Sequence, residues 1–371
     1  MSGYIRHLAI ITGSSLGIGA ATALLLAKSG ANVVITGRNA DNVSKICNEC
    51  TEVSLKGLKA LPVVADVTKE EDVDRLLDTT IKTFGKLDIL VNNAGIGSRA
   101  PITDADYIHK LKAVFDTNLN SVIYLTHKSI QYFEKTKGNI INISSIAGIQ
   151  SSGGISPYHM SKAALDMFTK CIAVDLGPKG IRVNSVNPGA IRTAIIRDSK
   201  MTEQQTQSLW DRVKSRYPVG RCGEPLDIAN TVPYLASDHA SFITGTIMVA
   251  DGGHLAANSG GISPYHMSKA ALDMFTKCIA VDLGPKGIGV NSVNPGAIRT
   301  AIIRDSKMTE QQTQSLWERV KSQYPVGRCG EPLDIANTVA YLASNHASFI
   351  TGTIMVADGG HLAANVRMNF D

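Results

Sequence analysis

The sequence lacks the features by which membrane, secreted and nucleic-acid-binding proteins are usually recognised. In its 371 residues no apolar run approaches the roughly 20 residues that a membrane-spanning helix needs. No signal-peptide layout precedes the first apolar run, and no lipidation or retention tag follows the last one. The formal net charge of +5 is small, with no dense block of Lys or Arg. These absences predict a cytoplasmic protein with neither a membrane nor a nucleic acid as partner.

Cysteines are also few, which bears on metal binding. Four of the six lie at matching positions of a repeated segment, and the other two, Cys47 and Cys50, form a single C-x-x-C. One such pair without a second is a poor zinc signal, and it falls in a helix-like stretch. The sequence therefore predicts structural thiols, kept reduced inside the cell, and no metal site.

What the chain does contain is a long repeat. Residues 152–258, called here the first copy, recur without gaps as residues 259–365, called the second copy. Only five positions differ, and they are Arg182/Gly289, Asp211/Glu318, Arg216/Gln323, Pro233/Ala340 and Asp238/Asn345. Solenoid repeats are shorter and diverge gradually, whereas this is one block copied once. A recent tandem duplication and a mis-assembled gene model are both compatible with it.

Before the repeat, apolar runs alternate with helix-like segments. Strands are predicted in the runs RHLAIITG, NVVITG, LKALPVVADV, KLDILVNNAG and GNIINISSIAG, with amphipathic helices between them. Such alternation places helices on both faces of a parallel sheet. The predicted fold class is α/β, with a Rossmann-type doubly wound parallel sheet in three layers α/β/α, plus an incomplete duplicate of its C-terminal part.

A glycine-rich turn follows the first predicted strand. Gly13, Gly17 and Gly19 have the spacing G-x3-G-x-G, and a helix starts behind them. Glycines let the backbone approach a pyrophosphate, and the free N–H groups of a helix start attract it. The second strand ends at Arg38, where an NAD site usually has an acid. A guanidinium there favours the 2′-phosphate of NADP over NAD.

A tyrosine and a lysine mark the chemistry. Tyr158 and Lys162 are four residues apart, so they share one face of a helix. A nearby ammonium, together with a nicotinium ring, is expected to lower the pKa of the phenol towards neutrality. Ser145 follows the fifth strand, where parallel sheets present ligands, and Asn118 lies mid-helix, where it is expected to distort the helix or relay protons.

Together these residues resemble the short-chain dehydrogenase/reductase family. The matching positions are, in chain order, residues 12–19, Asp66, residues 92–95, Asn118, Ser145, Tyr158, Lys162, Pro188, Gly189 and Thr193. The resemblance covers residues 1–258, which are predicted as one NAD(P)-binding domain. Residues 259–365 are then a near-identical copy of its C-terminal part without the cofactor-binding half, and residues 366–371 are a tail.

The resemblance implies a role for each matching residue. Tyr158 gives or takes the proton, Lys162 holds the nicotinamide ribose and lowers the Tyr158 pKa, and Ser145 fixes the reacting oxygen. Asn118 holds a relay water and completes the implied catalytic set. The implied cofactor-binding set is Gly13, Ser15, Gly17, Ile18, Gly19, Arg38, Asp66, Val67, Asn92, Ala94, Gly95, Tyr158, Lys162, Pro188, Gly189, Ile191 and Thr193. Residues 191–225 correspond to the variable substrate lid, in which Met201, Leu209 and Trp210 either line the substrate or, as the alternative, pack against the sheet.

The repeat leaves open which copy completes the domain. Seating the second copy would loop out the first, at about 4 kcal/mol, which favours the first copy. Pro233, inside a helical pattern, costs about 3 kcal/mol relative to Ala340 and favours the second, while Gly289 in a strand costs about 0.5–1 kcal/mol and favours the first. The balance is near a tie, and Tyr158 is predicted to carry most of the activity.

The predicted function is NADP-dependent hydride transfer between NADPH and a small carbonyl or secondary alcohol substrate, with Tyr158 as general acid and base. The alternative is a nucleotide-binding scaffold or pseudoenzyme silenced by the repeated segment. A homo-oligomer is expected unless that segment blocks it. The second copy is expected either to dock on a subunit-contact surface or to trail as a loose tail.

Overall fold

The structure is a computed structural model that describes residues 7–54, 57–195, 202–257, 263–300, 308–324, 326–348 and 350–359, with only the backbone at 263–267 and 323. Among the predicted site residues, Met201 lies outside the described residues, as does the tail at 366–371. The chain divides into two compact units, Met1–Leu255 and Ala256–Asp371.

The first unit is built on a parallel sheet of seven strands in the order β3-β2-β1-β4-β5-β6-β7. Its strands are β1 Leu8–Ile11, β2 Asn32–Gly37, β3 Leu61–Val64, β4 Ile89–Asn92, β5 Asn139–Ile143, β6 Arg182–Pro188 and β7 Ile247–Ala250. Strands β1, β4 and β5 are buried along their whole length, although β4 ends in Asn92 and β5 contains Asn139 and Asn142. The first copy supplies β6 and β7, and β6 pairs with β5 from Asn139↔Arg182 to Ile143↔Val186.

Helices cover both faces of this sheet and complete three layers. The helices that lie wholly within this unit are α1 Gly17–Lys28, α2 Ala40–Val53, α3 Glu70–Phe84, α4 Tyr107–Phe115, α5 Ser121–Thr136, α6 Ser156–Leu176, α7 Glu203–Lys214, α8 Pro225–Ala229 and α9 Thr231–Ala236, and the short α10 His254–Ala257 spans the end of this unit and the start of the next. One core cluster joins the sheet to α1, α2, α8 and α9, and the other joins it to α3, α5 and α6. The Rossmann-type α/β fold was therefore predicted correctly.

Two irregular helical turns in this unit have identifiable causes. The helix in which Asn118 was predicted to lie is divided into α4 and α5 by a π-helical turn, Asp116–Asn120, which contains Asn118. The helical pattern around Pro233 is divided at Asn230 into α8 and α9. Pro233 thus lies in the first turn of α9, where its missing N–H is tolerated, so the full cost of an interior proline does not apply.

The second unit has its own smaller architecture. Its helices are α11 Ser263–Leu283, α12 Glu310–Gln323 and α13 Pro332–Leu342, and its strands are β8 Ser292–Pro295 and β9 Ile354–Ala357. The two strands form a parallel pair. A small core cluster contains Ala297, Leu316, Trp317, Val320, Tyr324 and Cys329. With Ala340 in place of Pro233, α13 runs unbroken through the region where α8 and α9 are separate.

Candidate active site

The glycine turn between β1 and α1 is held from the neighbouring strand end. Gly13 and Gly17 adopt positive φ of 61° and 58°, which favours glycine. The Asn93 side chain donates from Nδ2 to the carbonyls of Thr12 at 2.9 Å and Gly13 at 3.2 Å. A Cβ on Gly19 would lie 2.5 Å from both Asn93 Nδ2 and the Gly13 carbonyl oxygen. A side chain is therefore excluded at Gly19, and Asn93, absent from the predicted site, anchors the turn.

The start of α1 offers its backbone N–H groups without competition from the chain itself. Leu16, at the N-cap, makes no capping hydrogen bond through its side chain, and the first turn contains no acidic residue. Unsatisfied N–H groups and the positive end of the helix dipole attract phosphate. The turn and this helix start together fit the pyrophosphate of a dinucleotide.

The end of β2 lies against the same turn. A Cβ on Gly37 would lie 2.7 Å from the Ser15 hydroxyl oxygen. Arg38, the next residue, is exposed. A ligand that reaches the end of β2 would therefore meet a guanidinium rather than a carboxylate.

Tyr158, Ser145 and Lys162 converge beside the end of β5. Ser145 caps a short 3-10 turn by accepting from the Ala147 N–H at 3.1 Å, and it shares a hydrogen bond with the half-buried Tyr158. Lys162 is 3% exposed, donates from Nζ to the Ile143 carbonyl at 2.8 Å, and lies 5.8 Å from the centroid of the Tyr158 ring. The helix α6 thus presents both side chains to the carboxyl edge of the sheet.

Burial dominates the acid–base properties of Tyr158 and Lys162. Burial raises the pKa of Tyr158, and the hydrogen bond with Ser145 opposes this shift without overcoming it. Burial also lowers the pKa of Lys162 to about 8, with Asp166 acting in the opposite direction. For the protein residues alone, desolvation of the phenolate dominates, and the lowering of the Tyr158 pKa expected from Lys162 together with a nicotinium ring stays a prediction.

Asn118 closes the site from the side of the π-helical turn. It is fully buried, accepts from the Ile96 N–H at 2.8 Å, and donates to the Ile96 carbonyl at 2.9 Å and the Ser161 hydroxyl at 3.2 Å. A Cβ on Gly95 would lie 3.4 Å from Asn118 Oδ1 and 3.7 Å from Lys162 Nζ. Both amide hydrogens are used, so a water could bind Asn118 only at its remaining oxygen lone pair or its backbone.

Sequence reasoning missed a buried polar cluster behind the tyrosine and lysine. Asp166 accepts from the Ser185 hydroxyl at 3.2 Å and from Asn187 Nδ2 at 2.7 Å. Asn187 also donates to the Ser145 carbonyl at 2.9 Å, and the Ser144 hydroxyl donates to the Lys162 carbonyl at 3.2 Å. Burial raises the pKa of Asp166. The signal was present, because Asp166 is one helical turn beyond Lys162 and shares its face.

The structure places three of the predicted cofactor residues, Asn92, Asp66 and Val67, at the ends of β3 and β4. The buried Asn92 donates to Asn142 Oδ1 at 2.9 Å and Thr126 Oγ1 at 3.2 Å, so its side chain supports adjoining strands and α5 instead of lining the turn. Asp66 accepts from the N–H and hydroxyl of Thr68 at 3.0 and 2.8 Å. Val67, next to it, is half-buried at the end of β3.

The remaining predicted cofactor residues surround the glycine turn. Ile18 is partly buried in α1. Ala94 contributes its backbone N–H, which donates to the Thr12 hydroxyl at 3.0 Å. Thr193 lies across from the turn, since a Cβ on Gly17 would be 3.3 Å from its methyl group. Pro188 ends β6, and Gly189 and Ile191 follow it towards Thr193.

The lid segment is anchored to this loop. Tyr217 accepts from the Ala190 N–H through its hydroxyl at 2.5 Å, and its ring stacks on His254 with centroids 4.9 Å apart. Trp210 is 6% exposed and packs under the Arg192 guanidinium, 5.4 Å from the ring centroid. Leu209 is half-buried. Trp210 therefore acts as an anchor for the lid helix, in keeping with the packing alternative.

Comparisons with known proteins bear on what this geometry does. A family model described as Enoyl-(Acyl carrier protein) reductase matches residues 13–254 and again residues 256–361. The chain is 37% identical over 250 residues to cyclohexanol dehydrogenase of Acinetobacter sp. strain SE19, covering 67% of this chain and 95% of that protein. It is 38% identical over 246 residues to 3beta-hydroxysteroid dehydrogenase 1 of Eggerthella lenta, covering 66% and 92%.

Solved structures agree. A short-chain dehydrogenase/reductase of unknown function from Caenorhabditis elegans, solved with cofactor, is 39% identical with a TM-score of 0.63, covering 68% of this chain and 96% of that one. The chain belongs to the short-chain dehydrogenase/reductase family. A second member, 7 alpha-hydroxysteroid dehydrogenase complexed with NADH and 7-oxo glycochenodeoxycholic acid, is 34% identical with a TM-score of 0.63 and covers 68% and 95%. The chain is thus an oxidoreductase of a family that acts on CH–OH and C=O groups with NAD(P).

Three further findings concern groups outside this family site. Cys47 and Cys50 are buried free thiols, and burial raises the pKa of Cys50 to about 12, in keeping with a packing role. Within the described residues, no group of three or more His, Cys, Asp or Glu side chains could hold a metal ion. No helix in the described ranges is both long and apolar enough to cross a membrane.

Proposed function

We propose that this short-chain dehydrogenase/reductase transfers hydride reversibly between NADPH and a secondary alcohol or carbonyl substrate, with Tyr158 as general acid and base. The observation that carries the proposal is the contact between the Tyr158 hydroxyl and Ser145, beside a buried Lys162, at the edge of the sheet that also bears the glycine turn. A bound nicotinamide nucleotide would supply or accept the hydride.

The chain's own residues account for the proton. Because burial keeps Tyr158 a neutral phenol, it donates a proton to the oxygen of a carbonyl that Ser145 holds beside it. In the reverse direction the phenolate has to form, and the Lys162 ammonium is the nearby positive charge that stabilises it. Asn187 donates to the Ser145 carbonyl and the Ser144 hydroxyl donates to the Lys162 carbonyl, so the backbones of the reacting groups are held before substrate arrives.

The preference for NADP rests on the end of β2. Arg38 is exposed there, next to a turn in which the Ser15 hydroxyl also faces the strand end. An Arg fork matches the two oxygens of a 2′-phosphate, and the absence of an acid between residues 36 and 39 removes the group that would bind ribose hydroxyls and repel that phosphate.

The substrate class is supported by the names of the relatives. Cyclohexanol dehydrogenase, cis-4-hydroxycyclohexanecarboxylate dehydrogenase and two hydroxysteroid dehydrogenases are named for secondary alcohols on saturated rings. A further relative, from Thermotoga maritima, is named 3-oxoacyl-[acyl-carrier-protein] reductase. We therefore place ring ketones and their alcohols first, and 3-oxoacyl thioesters second.

The test measures nucleotide affinity and turnover separately. Affinities for NADPH and NADH are determined for the wild type, for Arg38→Asp and for Lys45→Ala, which removes an exposed charge from α2 as a control. We expect tighter binding of NADPH, reversed in Arg38→Asp and unchanged in Lys45→Ala. Equal or tighter binding of NADH by the wild type would refute the NADP preference.

Turnover is followed as NADPH oxidation with cyclohexanone, a 3-oxosteroid and a 3-oxoacyl thioester. Tyr158→Phe should lower kcat about 10²- to 10⁴-fold without weakening NADPH binding. Full turnover by Tyr158→Phe would remove Tyr158 from the mechanism. Nucleotide binding without turnover of any substrate would favour the scaffold alternative.

A further inference from the structure

The loop that leads from β5 to α6 begins with Ser145, the residue that holds the substrate oxygen in the proposed function. It comprises residues 145–155, called here the serine loop, and contains no charged or titratable side chain. A histidine of α6, His159, contacts this loop and was not among the predicted site residues. It is half-buried and directly follows Tyr158.

Both ring nitrogens of His159 lie within hydrogen-bond distance of the serine loop. Nδ1 is 2.7 Å from the Ala147 carbonyl oxygen. Nε2 is 3.1 Å from the backbone nitrogen of Ser152 and 2.9 Å from its hydroxyl oxygen. The imidazole therefore ties the start of the loop to its middle.

These partners require one protonation state of the ring. A carbonyl oxygen only accepts, so Nδ1 carries a hydrogen and donates to Ala147. A backbone N–H only donates, so Nε2 is unprotonated and accepts from Ser152. The contacts thus fit the neutral imidazole alone. A second proton, on Nε2, would face the Ser152 N–H donor to donor and break that bond, although the hydroxyl of Ser152 can still turn to accept.

The contact with His159 reaches Ser145 through Ala147. The Ser145 hydroxyl accepts from the Ala147 N–H at 3.1 Å, while the carbonyl of the same alanine accepts from His159. The Ser145 backbone has a separate support on the side of β6, where Asn187 donates to its carbonyl at 2.9 Å. The serine is therefore held from β6 through its own carbonyl and from α6 through the Ala147 residue that its side chain caps.

We infer that His159 is a positioning residue: as a neutral imidazole it holds the serine loop so that Ser145 meets both Tyr158 and the substrate oxygen, and protonation of its ring loosens this hold. The inference rests on the proposed function, in which Ser145 fixes the reacting oxygen. Its consequence is a loss of ketone reduction in acid that comes neither from Tyr158 nor from the nucleotide site.

Other titratable groups near α6 have partners of their own. On α4, the π-helical turn, β6 and the turn after α6, the pairs are Tyr107 with Ser156, His109 with Asp106, Lys110 with Asp104, Lys112 with Asp116, Arg182 with the Leu235 carbonyl, and Lys179 with Glu134. On α6 itself, Tyr158 and Lys162 lie on either side of His159 along the chain. Asp166 is the buried carboxyl of this helix, and burial raises its pKa, so the experiment has to separate it from His159.

The experiment compares variants in NADPH-dependent reduction between about pH 5.5 and about pH 8, which spans the usual titration of histidine. The substrate is whichever of cyclohexanone, a 3-oxosteroid and a 3-oxoacyl thioester is turned over fastest. Reduction is the informative direction, because burial already keeps Tyr158 a neutral phenol and acid leaves it unchanged.

The variants differ in what they put in place of the imidazole. His159→Gln retains one donor and one acceptor but does not titrate in this range, whereas His159→Ala removes both. The matched control is His127→Gln, which changes an exposed histidine of α5.

We expect kcat/KM for the ketone to fall about three- to tenfold from pH 8 to pH 5.5 in the wild type and in His127→Gln, as one hydrogen bond is lost. His159→Gln should stay within about threefold of the wild type at pH 8 and lack the fall in acid. His159→Ala should be about 10- to 100-fold less active throughout, because Ser145 is no longer fixed. Affinity for NADPH should be the same in all four proteins, since the glycine turn is unchanged.

An undiminished fall in acid in His159→Gln would assign the titration to another group, such as Asp166, and would overturn the inference. Full activity of His159→Ala would also overturn it. Hydrogen exchange provides a measurement that does not depend on turnover. After correction for the intrinsic effect of pH, protection of amides 147–152 should decrease in acid in the wild type and not in His159→Gln, and equal behaviour of the two would contradict the role of His159. A wild type that turns over none of the three substrates would instead count against the proposed function.

Discussion

The first and second copies share a sequence but not an environment, and the comparison separates what is encoded locally from what is not. Helices α6 and α11 both span 21 residues, at Ser156–Leu176 and Ser263–Leu283. The polar cluster of Asp166, Ser185 and Asn187 also has a counterpart in the second copy, where Asp273 accepts from Ser292 at 3.1 Å and from Asn294 at 2.9 Å. These features therefore need only the repeated segment itself.

Strand length and burial, by contrast, depend on the N-terminal half. The strand β6 has seven residues, whereas β8 has four. Lys162 is 3% exposed in the first copy, while Lys269 is exposed in the second. The local helix pattern is thus sufficient for the Tyr–Lys spacing, but the desolvated environment that gives Lys162 its unusual pKa comes from contacts with the other half of the domain.

The largest predicted difference between the copies concerns a core leucine. Leu165→Ala should destabilise the first unit by about 2–5 kcal/mol, because it leaves a cavity in a region that is closed. Leu272→Ala removes the same atoms from a side chain that is 47% exposed and should cost under about 1 kcal/mol. Hydrogen exchange of the β1–β7 amides measures the stability of the first unit separately from that of the second. Equal losses of stability in Leu165→Ala and Leu272→Ala would contradict the difference in their surroundings.

The next difference concerns the two lysines and has a defined pH dependence. In the folded chain the pKa of Lys162 is lowered from 10.5 to about 8, so the unfolded chain binds more protons between these values. The shift lowers the free energy of unfolding by about 3 kcal/mol below about pH 8. This loss of stability is recovered as the pH rises from about 8 towards 10.5.

Replacing Lys162 with methionine should therefore stabilise the first unit at pH 7 and remove this rise between pH 8 and 10. Lys269→Met is the matched control and should leave the slope as in the wild type. Denaturant titrations of the wild type, Lys162→Met and Lys269→Met at several pH values measure how the free energy of unfolding changes with pH. An unchanged slope in Lys162→Met would mean that the lysine is solvated in the folded protein.

The smallest predicted difference concerns the first position at which the copies differ. Arg182→Gly should destabilise the first unit by about 1–2 kcal/mol, since it removes the bonds to the carbonyls of Leu235 and Ser237. Gly289→Arg should change stability by less than about 0.5 kcal/mol. Hydrogen exchange of the α9 amides measures the effect of Arg182→Gly, which should reduce their protection. A reduction spread evenly over the sheet would contradict a local role of Arg182 at the end of α9.

Much of the first unit could be predicted from the sequence because its signals are local. The runs around β1, β2, β4 and β5 are mostly apolar and rich in Ile and Val, and the glycine turn follows β1 directly. The same holds for the spacing of Tyr158 and Lys162. Asn118 was expected to distort its helix or relay protons, and the π-helical turn confirms the distortion.

Other features depend on tertiary contacts that no local pattern shows. Which of Asn92 and Asn93 holds the glycine turn is decided by the alternation of the two side chains at the end of β4, and only Asn93 points to Thr12 and Gly13. The direction of the Tyr158 pKa follows from how deeply α6 is covered. The break before Pro233 restores a tolerated position for the proline at the expense of helix continuity, which a count of helical residues does not reveal.

The anchored lid has a consequence of its own. Tyr324 accepts from the Ala297 N–H at 2.5 Å, Cys329 Sγ donates to the Trp317 carbonyl at 3.3 Å, and Arg299 lies 5.9 Å from the Trp317 ring, so the second copy repeats the anchoring of the first. Because this arrangement forms in a unit that lacks the nucleotide-binding half, the repeated segment alone carries all the information that this anchoring needs.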